Sequence, residues 1–422
     1  MSHEHIKQLI TAAVAAVNPY TCTQRALSFD GNRLQVANNT FDLTNGNLYV
    51  IAIGKAAVPM AQAAVDLLGS KIGAGIAVTK QGQTSKVEHD SFTTHFAAHP
   101  VPDDSSVKAA TAVFDLLTNL ATSDHVVFLI SGGASALCTY PLIELDEWQA
   151  LSKALLASGC PIQAFNTVRK QLDEIKGGGL GVAAAPAKIV TLILSDVLGN
   201  PVDMIGSGPT VPNPQTAADA LRILNKYGIE NATAQQVLER LDSKPYQFKS
   251  PVAIIGDLSL AATAAQQKAA DLGYDSQIID LNLTGEAQKV GRDMAQLARN
   301  TKPNQCLILG GETTVTLQGD GVGGRNQELA LAAAIPLSGA KHLLIATYAT
   351  DGDDGPTPAA GAQVTGDTVR LAHQAGISAA DALSKNDSYT FFSQLPDHHI
   401  ITGQTGTNVN DLVFILNRKQ VA

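Results

Sequence analysis

Short runs of apolar, β-branched residues alternate with alanine-rich stretches along most of the chain. This alternation is typical of α/β proteins, in which helices cover both faces of a mostly parallel sheet. The predicted strands include the unbroken apolar runs LYVIAIG, AGIAVT, HVVFLISGG and KIVTLILSDV. Between them, residues Lys55 to Leu68 and Asn166 to Gly178 are predicted to be helices, the second ended by glycines.

The length of the chain predicts two domains, because 422 residues exceed what one hydrophobic core normally supports. The alternation pauses in a polar, proline-bounded stretch at residues 238–251. We therefore predict a Rossmann-like domain over residues 1–243, with a mostly parallel sheet, and a smaller α/β domain over residues 250–422. The second domain begins with the strand VAIIGD, and its alternating ETTVTL segment predicts a mixed sheet.

Composition restricts the classes of partner. The formal net charge of -9 is spread without basic blocks, which argues against a nucleic-acid surface. No stretch approaches the roughly 20 apolar residues that a membrane span requires, and the N-terminus lacks the basic residues of a signal peptide. The four cysteines form no CxxC pair, which suits reduced thiols. We expect a cytoplasmic protein without nucleic-acid or membrane partners, for which a homodimer is compatible with the sequence.

The loops that follow the strands are the expected ligand site, because ligands of open α/β sheets bind at the carboxyl ends of the strands. Two of these loops are rich in Gly and Ser, whose backbone and hydroxyl donors suit a phosphate. A tight turn explains the SGGASAL loop equally well, and the chain contains neither a Walker A motif nor a GxGxxG between a strand and a helix. The candidate phosphate-binding residues of the two loops are Ser131, Gly132, Gly133, Ser135, Ser207, Gly208 and Thr210.

Two cations stand out. Lys55 directly follows the strand LYVIAIG and begins the next predicted helix. A cation in the first turn of a helix opposes the helix dipole, so its presence there indicates a role other than helix stability. Arg325 follows the glycine-rich segment 319–324, which we interpret as a pliable loop; its planar guanidinium suits bidentate capture of phosphate or carboxylate. A hairpin tip with a surface arginine is the alternative. The polar residues expected beside Arg325 at a nucleotide site are Glu312, Thr313 and Asn326.

Carboxylates end two of the apolar strands. Asp196 and Asp351 could each contribute to a Mg²⁺ site, because Mg²⁺ takes one or two carboxylates together with substrate phosphates. Capping of a helix is the more common role for any single aspartate. His99 precedes a proline and is interpreted as a structural hydrogen-bonding residue. No HExxH or GxSxG motif is present, which argues against a zinc protease or a serine hydrolase.

Nine ordered motifs between residues 51 and 412 resemble those of the type 2 glycerate kinases, whose C-terminal part is called the MOFRL domain. They are AIGKAA, HPVPD, SGGASAL, NTVRKQLDEIKGG, SDVLGNPVDMIGSGPT, GGETTVT, GGRNQELAL, ATDGDDGPTPAAGA and TGTNVNDL. Three positions depart from the family pattern: Gln171 replaces a common histidine, and Asn200 and Asn213 replace common aspartates. Any role of those histidine and aspartate side chains is therefore not carried over.

The resemblance implies ATP-dependent phosphorylation of D-glycerate, at the 2-hydroxyl to give 2-phosphoglycerate, with Mg²⁺, in a cleft between two α/β domains. It implies that Lys55 and Arg325 are the catalytic cations. The weaker candidates for binding the small-molecule substrate are Arg169, Lys176 and Asn408. Two alternatives stay open: an NAD(P)H-dependent hydroxypyruvate reductase, disfavoured by the missing dinucleotide motif, and a non-catalytic binding protein for sugar acids or nucleotides.

Overall fold

The computed structural model describes residues 2–241 and 248–418. The chain forms two compact units. The N-terminal unit comprises Pro19–Ile255, and the C-terminal unit comprises the residues from Gly256 onwards together with those up to Asn18. This grouping differs from the predicted first domain, which began at residue 1, because helix α1 (Ser2–Ala16) packs against residues after Gly256. The domain limits 1–243 and 250–422 stay a prediction.

The N-terminal unit contains two sheets and the helices that cover them. Its strands are β1 (Leu27–Asp30), β2 (Arg33–Val36), β3 (Asn39–Asp42), β4 (Leu48–Ile53), β5 (Ile72–Lys80), β6 (Phe92–Ala97), β7 (His125–Ile130), β8 (Lys188–Leu194) and β9 (Val252–Gly256). Its helices are α2 (Pro19–Ala26), α3 (Ala57–Leu68), α4 (Asp104–Leu117), α5 (Ala134–Leu137), α6 (Leu145–Ala157), α7 (Ile162–Gln171), α8 (Gly179–Ala183), α9 (Ala217–Lys226) and α10 (Ala232–Arg240).

The larger sheet has the order β6-β5-β4-β7-β8-β9 and runs parallel from β6 to β8. One face carries Ile51, Ile76 and Phe128, which share a buried cluster with residues of α4, and α3 packs against β4, β5 and β7. The order reverses between β4 and β7. Ligands of open sheets bind beside such a reversal, so the fold directs attention to the loops after these two strands.

The structure confirms the Rossmann-like fold but corrects three sequence-based details. The helix predicted over residues 166–178 ends at Gln171, and Gly178 instead precedes α8. The VAIIGD strand, β9, lies at the edge of the first sheet instead of opening the second. The three-stranded antiparallel sheet β1-β2-β3 was not predicted, because its four-residue strands are too short and too polar to give a periodic signal.

The C-terminal unit is built on one mixed sheet. Its strands are β10 (Asp275–Glu286), β11 (Gln305–Thr314), β12 (Leu343–Ala349), β13 (Gly361–Thr365), β14 (His399–Ile400) and β15 (Asp411–Asn417). Besides α1, its helices are α11 (Leu258–Asp271), α12 (Ala287–Arg299), α13 (Arg325–Leu337), α14 (Thr368–Gln374), α15 (Ala379–Ser384) and α16 (Ser388–Ser393).

The order of this sheet is β10-β11-β15-β12-β13-β14, and only the β10-β11 pair among these neighbours is parallel. The predicted mixed sheet is confirmed, but for a different reason. Glu312 and Thr313 of the alternating segment pair in parallel with β10, and the antiparallel character comes from β15, which lies between β11 and β12. In the described parts of the chain, no helix has the length and apolar character needed to cross a membrane.

Candidate active site

Three neighbouring strands of the N-terminal unit bring a lysine, a glycine loop and a carboxylate together. Lys55 follows β4, and its backbone N–H donates to the carbonyl of Gly132 after β7, at 2.9 Å. A Cβ at Gly132 would lie 2.2 Å from Oδ2 of Asp196, which follows β8. Only glycine therefore fits at position 132, and the three residues meet at the reversal of the strand order.

Gly133 completes this loop and requires glycine for two reasons. The first reason is its φ of 85°, which lies in the left-handed region just before α5. The second is the lack of space for a side chain. A Cβ there would lie 3.1 Å from Cδ2 of His99 and 3.3 Å from Cγ of Lys55. Burial, together with the nearby charge of Lys55, lowers the pKa of His99 to about 4, so the imidazole is neutral at pH 7. The structure thus brings His99, interpreted from sequence as structural, beside Lys55.

The Lys55 ammonium has no hydrogen-bond or ion-pair partner among residues 2–241 and 248–418, although the residue is half-buried. Its backbone, by contrast, is held firmly: the carbonyl accepts a hydrogen bond from Nε2 of Gln83 at 3.1 Å. An unpaired cation on a firmly held backbone beside a glycine loop is suited to receive an anionic ligand.

Several of the predicted phosphate-binding hydroxyls are used inside the protein. Oγ of Ser131 is buried and accepts the N–H of Ala56 at 3.1 Å, which fixes the start of α3. Thr210 is buried against Thr191, with 2.8 Å between their hydroxyl oxygens. These two side chains therefore shape the loops rather than face a ligand.

The second Gly/Ser segment packs directly on the first. The hydroxyls of Ser135 and Ser207 lie 2.7 Å apart, with Ser207 fully buried and Ser135 half-buried. Gly208 is buried and has a φ of 60°, and a Cβ there would approach the backbone of Asp203 to 2.8 Å. Of the four residues predicted from SGGASAL, Gly133 and Ser135 are thus the more accessible.

The two candidate substrate cations of this unit differ in their surroundings. Lys176 is buried, and its ammonium contacts Asp173 at 2.5 Å, Thr139 at 3.2 Å and the carbonyl of Cys138 at 3.3 Å. All three of its N–H donors are therefore satisfied within the protein. This geometry is that of an internal ion pair, which leaves Lys176 no donor for a substrate.

Arg169 has no carboxylate partner within ion-pair distance in the described residues. Its guanidinium stacks 4.1 Å from the centroid of the Phe165 ring and donates one long hydrogen bond, 3.5 Å, to Oδ1 of Asn166. Burial lowers the pKa of Arg169 to about 10, which still leaves it charged at pH 7. It is a partly desolvated cation that can accept an anion.

Arg325 is the centre of a separate charged cluster in the C-terminal unit. Its Nε and Nη2 donate to the two oxygens of Asp411, at 2.6 and 3.0 Å, and its Nη1 contacts Glu312 at 2.9 Å. Burial lowers its pKa, but these carboxylates more than offset that effect, so the pKa is raised above its ordinary value. Two of the five guanidinium N–H groups have no partner among the described residues, and 32% of the side chain is exposed.

The start of α13 is held by a second buried aspartate. The carboxylate of Asp354 accepts the backbone N–H groups of Asn326 and Gln327, at 3.0 and 2.9 Å. Such a carboxylate satisfies free N–H groups of the helix and interacts favourably with its dipole. Asn326, a predicted nucleotide contact, is buried in this arrangement, and its side chain also contacts Asp354 at 3.4 Å.

The glycines before Arg325 serve close packing rather than an unusual backbone conformation. None of the four at positions 319–324 has a positive φ. A Cβ at Gly324 would lie 2.3 Å from Cγ of Asp354, and one at Gly323 would lie 2.1 Å from Oγ of Ser388. The segment is a loop, as predicted, and its pliability stays a prediction; the hairpin alternative is wrong, because the segment connects β11 to α13.

The remaining predicted residues of this unit lie around the same strand ends. Oδ1 of Asn408 accepts the backbone N–H of Asn410 at 3.1 Å, and Nδ2 of Asn410 donates to Glu312 at 3.3 Å. Thr313 is buried on β11. Asp351 follows β12, and its carboxylate accepts the N–H of Asp353 at 3.2 Å. Asn408 thus helps to order the turn that precedes β15.

Sequence reasoning missed Asp411, the principal partner of Arg325. Asp411 is buried, and this burial raises its pKa to about 6 despite the opposing effect of Arg325. The sequence did contain a signal for Asp411: it begins the apolar run DLVFIL and lies in TGTNVNDL, one of the motifs that resemble the glycerate kinase family. A charged residue at a buried strand end generally has a partner.

One carboxylate beside the glycine loop is the candidate ligand for a metal ion. The described part of the chain contains no group of three or more His, Cys, Asp or Glu side chains that could hold a metal ion. Asp196, however, places a carboxylate oxygen directly against the glycine loop. One carboxylate suits Mg²⁺ when phosphates and water supply the other ligands, so this donor set fits a metal that arrives with a phosphate substrate.

Taken together, these features define a two-unit α/β protein in which a lysine, a glycine loop and a carboxylate meet at neighbouring strand ends. Comparison with known proteins identifies its family. Residues 5–242 match a family model described as a domain of unknown function, DUF4147, and residues 305–411 match the MOFRL family. The chain is 42% identical over 374 residues to the D-glycerate 2-kinase of Thermotoga maritima, covering 86% of this chain and 89% of the relative.

Two further comparisons cover almost the whole chain, although the two relatives carry different names. A crystal structure of glycerate kinase from Thermotoga maritima superposes with a TM-score of 0.89 at 37% identity, covering 98% of this chain and 99% of that one. A relative from Agrobacterium vitis, provisionally named a hydroxypyruvate reductase, is 39% identical over 426 residues, covering 97% of this chain and 93% of the relative. The chain therefore belongs to the type 2 glycerate kinase family with a C-terminal MOFRL domain.

Proposed function

We propose that the protein is a D-glycerate 2-kinase, which transfers the γ-phosphoryl group of ATP to the 2-hydroxyl of D-glycerate and gives 2-phosphoglycerate. The family membership supports this reaction, and the unpaired Lys55 ammonium beside the SGGASAL loop is the observation that carries it. Phosphoryl transfer depends mainly on positioning and on stabilisation of charge. A cation on a firmly held backbone and a glycine loop, both at the reversal of strand order, are suited to both tasks.

The nucleotide phosphates are proposed to bind at the loop after β7. The backbone of Gly132 and Gly133 and the hydroxyl of Ser135 supply donors there, while Ser131, Ser207, Gly208 and Thr210 support the loop from within. Lys55 then neutralises charge that develops on the transferred phosphoryl group. Because the transition state of phosphoryl transfer is loose, the acceptor hydroxyl requires little base strength.

In the C-terminal unit, Arg325 is the second proposed catalytic cation. Its two remaining N–H groups would bind a phosphate or carboxylate oxygen, while Glu312 and Asp411 hold the guanidinium plane. Thr313 and Asn326 shape the surrounding backbone, and Asn408 is retained as a candidate substrate contact.

The carboxylate of D-glycerate is proposed to bind Arg169. Its guanidinium has no carboxylate partner in the described residues, whereas the ammonium of Lys176, the other candidate, is fully engaged in its internal ion pair. A planar guanidinium also matches the geometry of a carboxylate. The substrate-binding role of Lys176 is therefore not proposed further.

Replacement of Arg169 by glutamine tests this assignment. We expect the KM for D-glycerate to rise about tenfold or more, because a charge-assisted hydrogen bond to the substrate contributes about 1.5–3 kcal/mol. The KM for ATP should change little. Steady-state kinetics with each substrate varied in turn measure both values. A KM for D-glycerate that stays within twofold of the parent value would contradict the role of Arg169.

Mg²⁺ is proposed to accompany ATP, with Asp196 as its ligand beside the loop and Asp351 as a second candidate. When bound, the ion neutralises phosphate charge. We expect activity to vanish in EDTA and to return with Mg²⁺ or Mn²⁺, because both accept hard oxygen ligands. The assay is initial rate after exhaustive chelation, followed by titration with each metal. Full activity in the chelated enzyme would rule this proposal out.

A pair of assays distinguishes the three functions that the sequence leaves open. The first supplies ATP and D-glycerate and identifies the phosphorylated product, and the second supplies NADH and hydroxypyruvate. We expect turnover only in the first, with 2-phosphoglycerate as product. Turnover in the second alone would favour the reductase, and turnover in neither would favour a binding protein. We also propose a cytoplasmic location, because all four cysteines are free thiols; a homodimer stays a prediction.

A further inference from the structure

A cavity of about 550 Å³ in the N-terminal unit is larger than D-glycerate needs. Its wall comprises the loop after β6, the start of α5, and parts of α6 and α7. The lining residues used below are Val101, Ser135, Trp148, Leu156, Phe165 and Arg169. Cavities of about 300–1,000 Å³ usually bury ligands much larger than a three-carbon acid. The volume thus leaves room for a second, larger group.

The chemistry of the wall indicates what that group is. Two prolines provide apolar surface, Asp146 and Gln149 add hydrogen-bonding groups, and Trp148 and Phe165, which are 3% and 2% exposed, back the wall from the buried cluster behind it. Val101 and Leu156, also in the lining, are 60% and 67% exposed. Exposed apolar side chains around a concave surface, with hydrogen-bonding groups beside them, suit a planar, weakly polar ring with hydrogen-bonding edges.

The cavity also adjoins the proposed phosphate loop. Ser135 belongs both to the lining and to the SGGASAL segment, and its hydroxyl lies 2.7 Å from that of Ser207. A nucleotide with its phosphates at the loop would therefore extend its nucleoside into the cavity.

The wall is preformed. Nε2 of Gln149 donates to the carbonyl of Pro102 at 2.7 Å, which ties α6 to the loop after β6. Trp148 and Phe165 belong to one buried cluster with residues of α9 and α10. A cavity held in this way requires little reorganisation when it binds a ligand.

We infer that this cavity binds the nucleoside part of ATP, with the base against the apolar wall and the phosphates directed to the loop at Ser135. The inference rests on the proposed kinase function and deepens it. Arg169 remains for the carboxylate of D-glycerate, so one cavity holds the uncharged end of the nucleotide and the acidic end of the acceptor.

Trp148 provides a direct test, because it is the single tryptophan of the chain. Its emission, excited at a wavelength that adenine does not absorb, is recorded while the full-length protein is titrated separately with ATP, adenosine and D-glycerate. We expect saturable changes with ATP and with adenosine. A change with D-glycerate but with neither adenine compound, or no change with any of the three, would overturn the inference.

A matched pair of variants supplies a second test. Leu156→Glu removes an exposed apolar contact of the cavity and adds a negative charge, so we expect the KM and Kd for ATP to rise about tenfold or more. Ile162→Glu makes the same change at a residue that is 53% exposed and outside the lining, and it should alter neither constant. Circular dichroism verifies that both variants fold.

The outcomes separate this inference from the proposed function. If ATP and adenosine perturb Trp148 but no glycerate is phosphorylated, the kinase proposal fails and the nucleoside site stands. If glycerate is phosphorylated but Leu156→Glu leaves the constants for ATP unchanged, the nucleoside site fails and the kinase proposal stands. If Leu156→Glu raises the KM for D-glycerate alone, the cavity binds the acceptor instead.

Discussion

Replacing Lys55 with alanine is expected to lower kcat by at least about a hundredfold while the protein stays folded. The ammonium has no partner in the described part of the chain, so its removal leaves no buried charge unpaired. What is lost is a positive charge beside the glycine loop, where charge develops during phosphoryl transfer, and loss of one such contact typically costs this much or more. Steady-state kinetics with both substrates saturating measure kcat.

Lys71→Ala is the matched control for this experiment. Lys71 precedes β5 and therefore lies at the amino ends of the parallel strands, where it is exposed and donates to Asn32 at 3.2 Å. Its loss should leave kcat within twofold. Thermal melting of both variants checks that they fold. A folded Lys55→Ala enzyme with near-normal kcat would remove Lys55 from the catalytic residues.

The strands and the strand-end site were predictable because their signals are local. A run such as LYVIAIG can satisfy its backbone and bury both faces only within a covered sheet, and β4 follows this run closely. Each such strand is followed two residues later by one residue of the site: Lys55 after β4, Gly132 after β7 and Asp196 after β8. Because the carboxyl ends of parallel strands share one edge, their proximity followed from the fold class.

The details that sequence reasoning missed depend on contacts between distant residues. The helix predicted to reach Gly178 ends at Gln171, and the segment that follows is held by the buried pair Asp173–Lys176 and a bridge between Asp173 and Pro141. Asp354 and Asp411 act on residues at least 27 positions away along the chain. Helical periodicity and glycine content carry no information about such partners.

The glycines before Arg325 illustrate the same limit. Their number indicated flexibility, whereas the structure shows that neighbouring segments leave no space for a side chain at Gly323 or Gly324. A β-branched residue at Gly324 would displace Asp354, which holds the start of α13. The sequence locates the position that must be glycine, but only the packed structure supplies the reason.

Replacing Arg325 with lysine is expected to lower kcat by about ten- to a thousandfold, the range for loss of one well-placed transition-state donor. Lysine keeps the charge and an ion pair with Asp411, but it loses the planar fork that contacts Asp411 and Glu312 together. Nucleotide binding, followed by the fluorescence of Trp148, should persist. Initial rates at saturating substrate and thermal melting measure the two effects separately.

Two comparison variants decide whether Arg325 acts on the substrate or only on the fold. Arg370→Lys changes an exposed guanidinium that also donates twice to one aspartate, Asp367, and it should leave kcat unchanged. Gly324→Val should lower the melting temperature, because its side chain would collide with Asp354. If Arg325→Lys instead lowers only the melting temperature and keeps its full kcat, then the guanidinium merely joins β11, β15 and α13, and Lys55 is the single catalytic cation of the proposal.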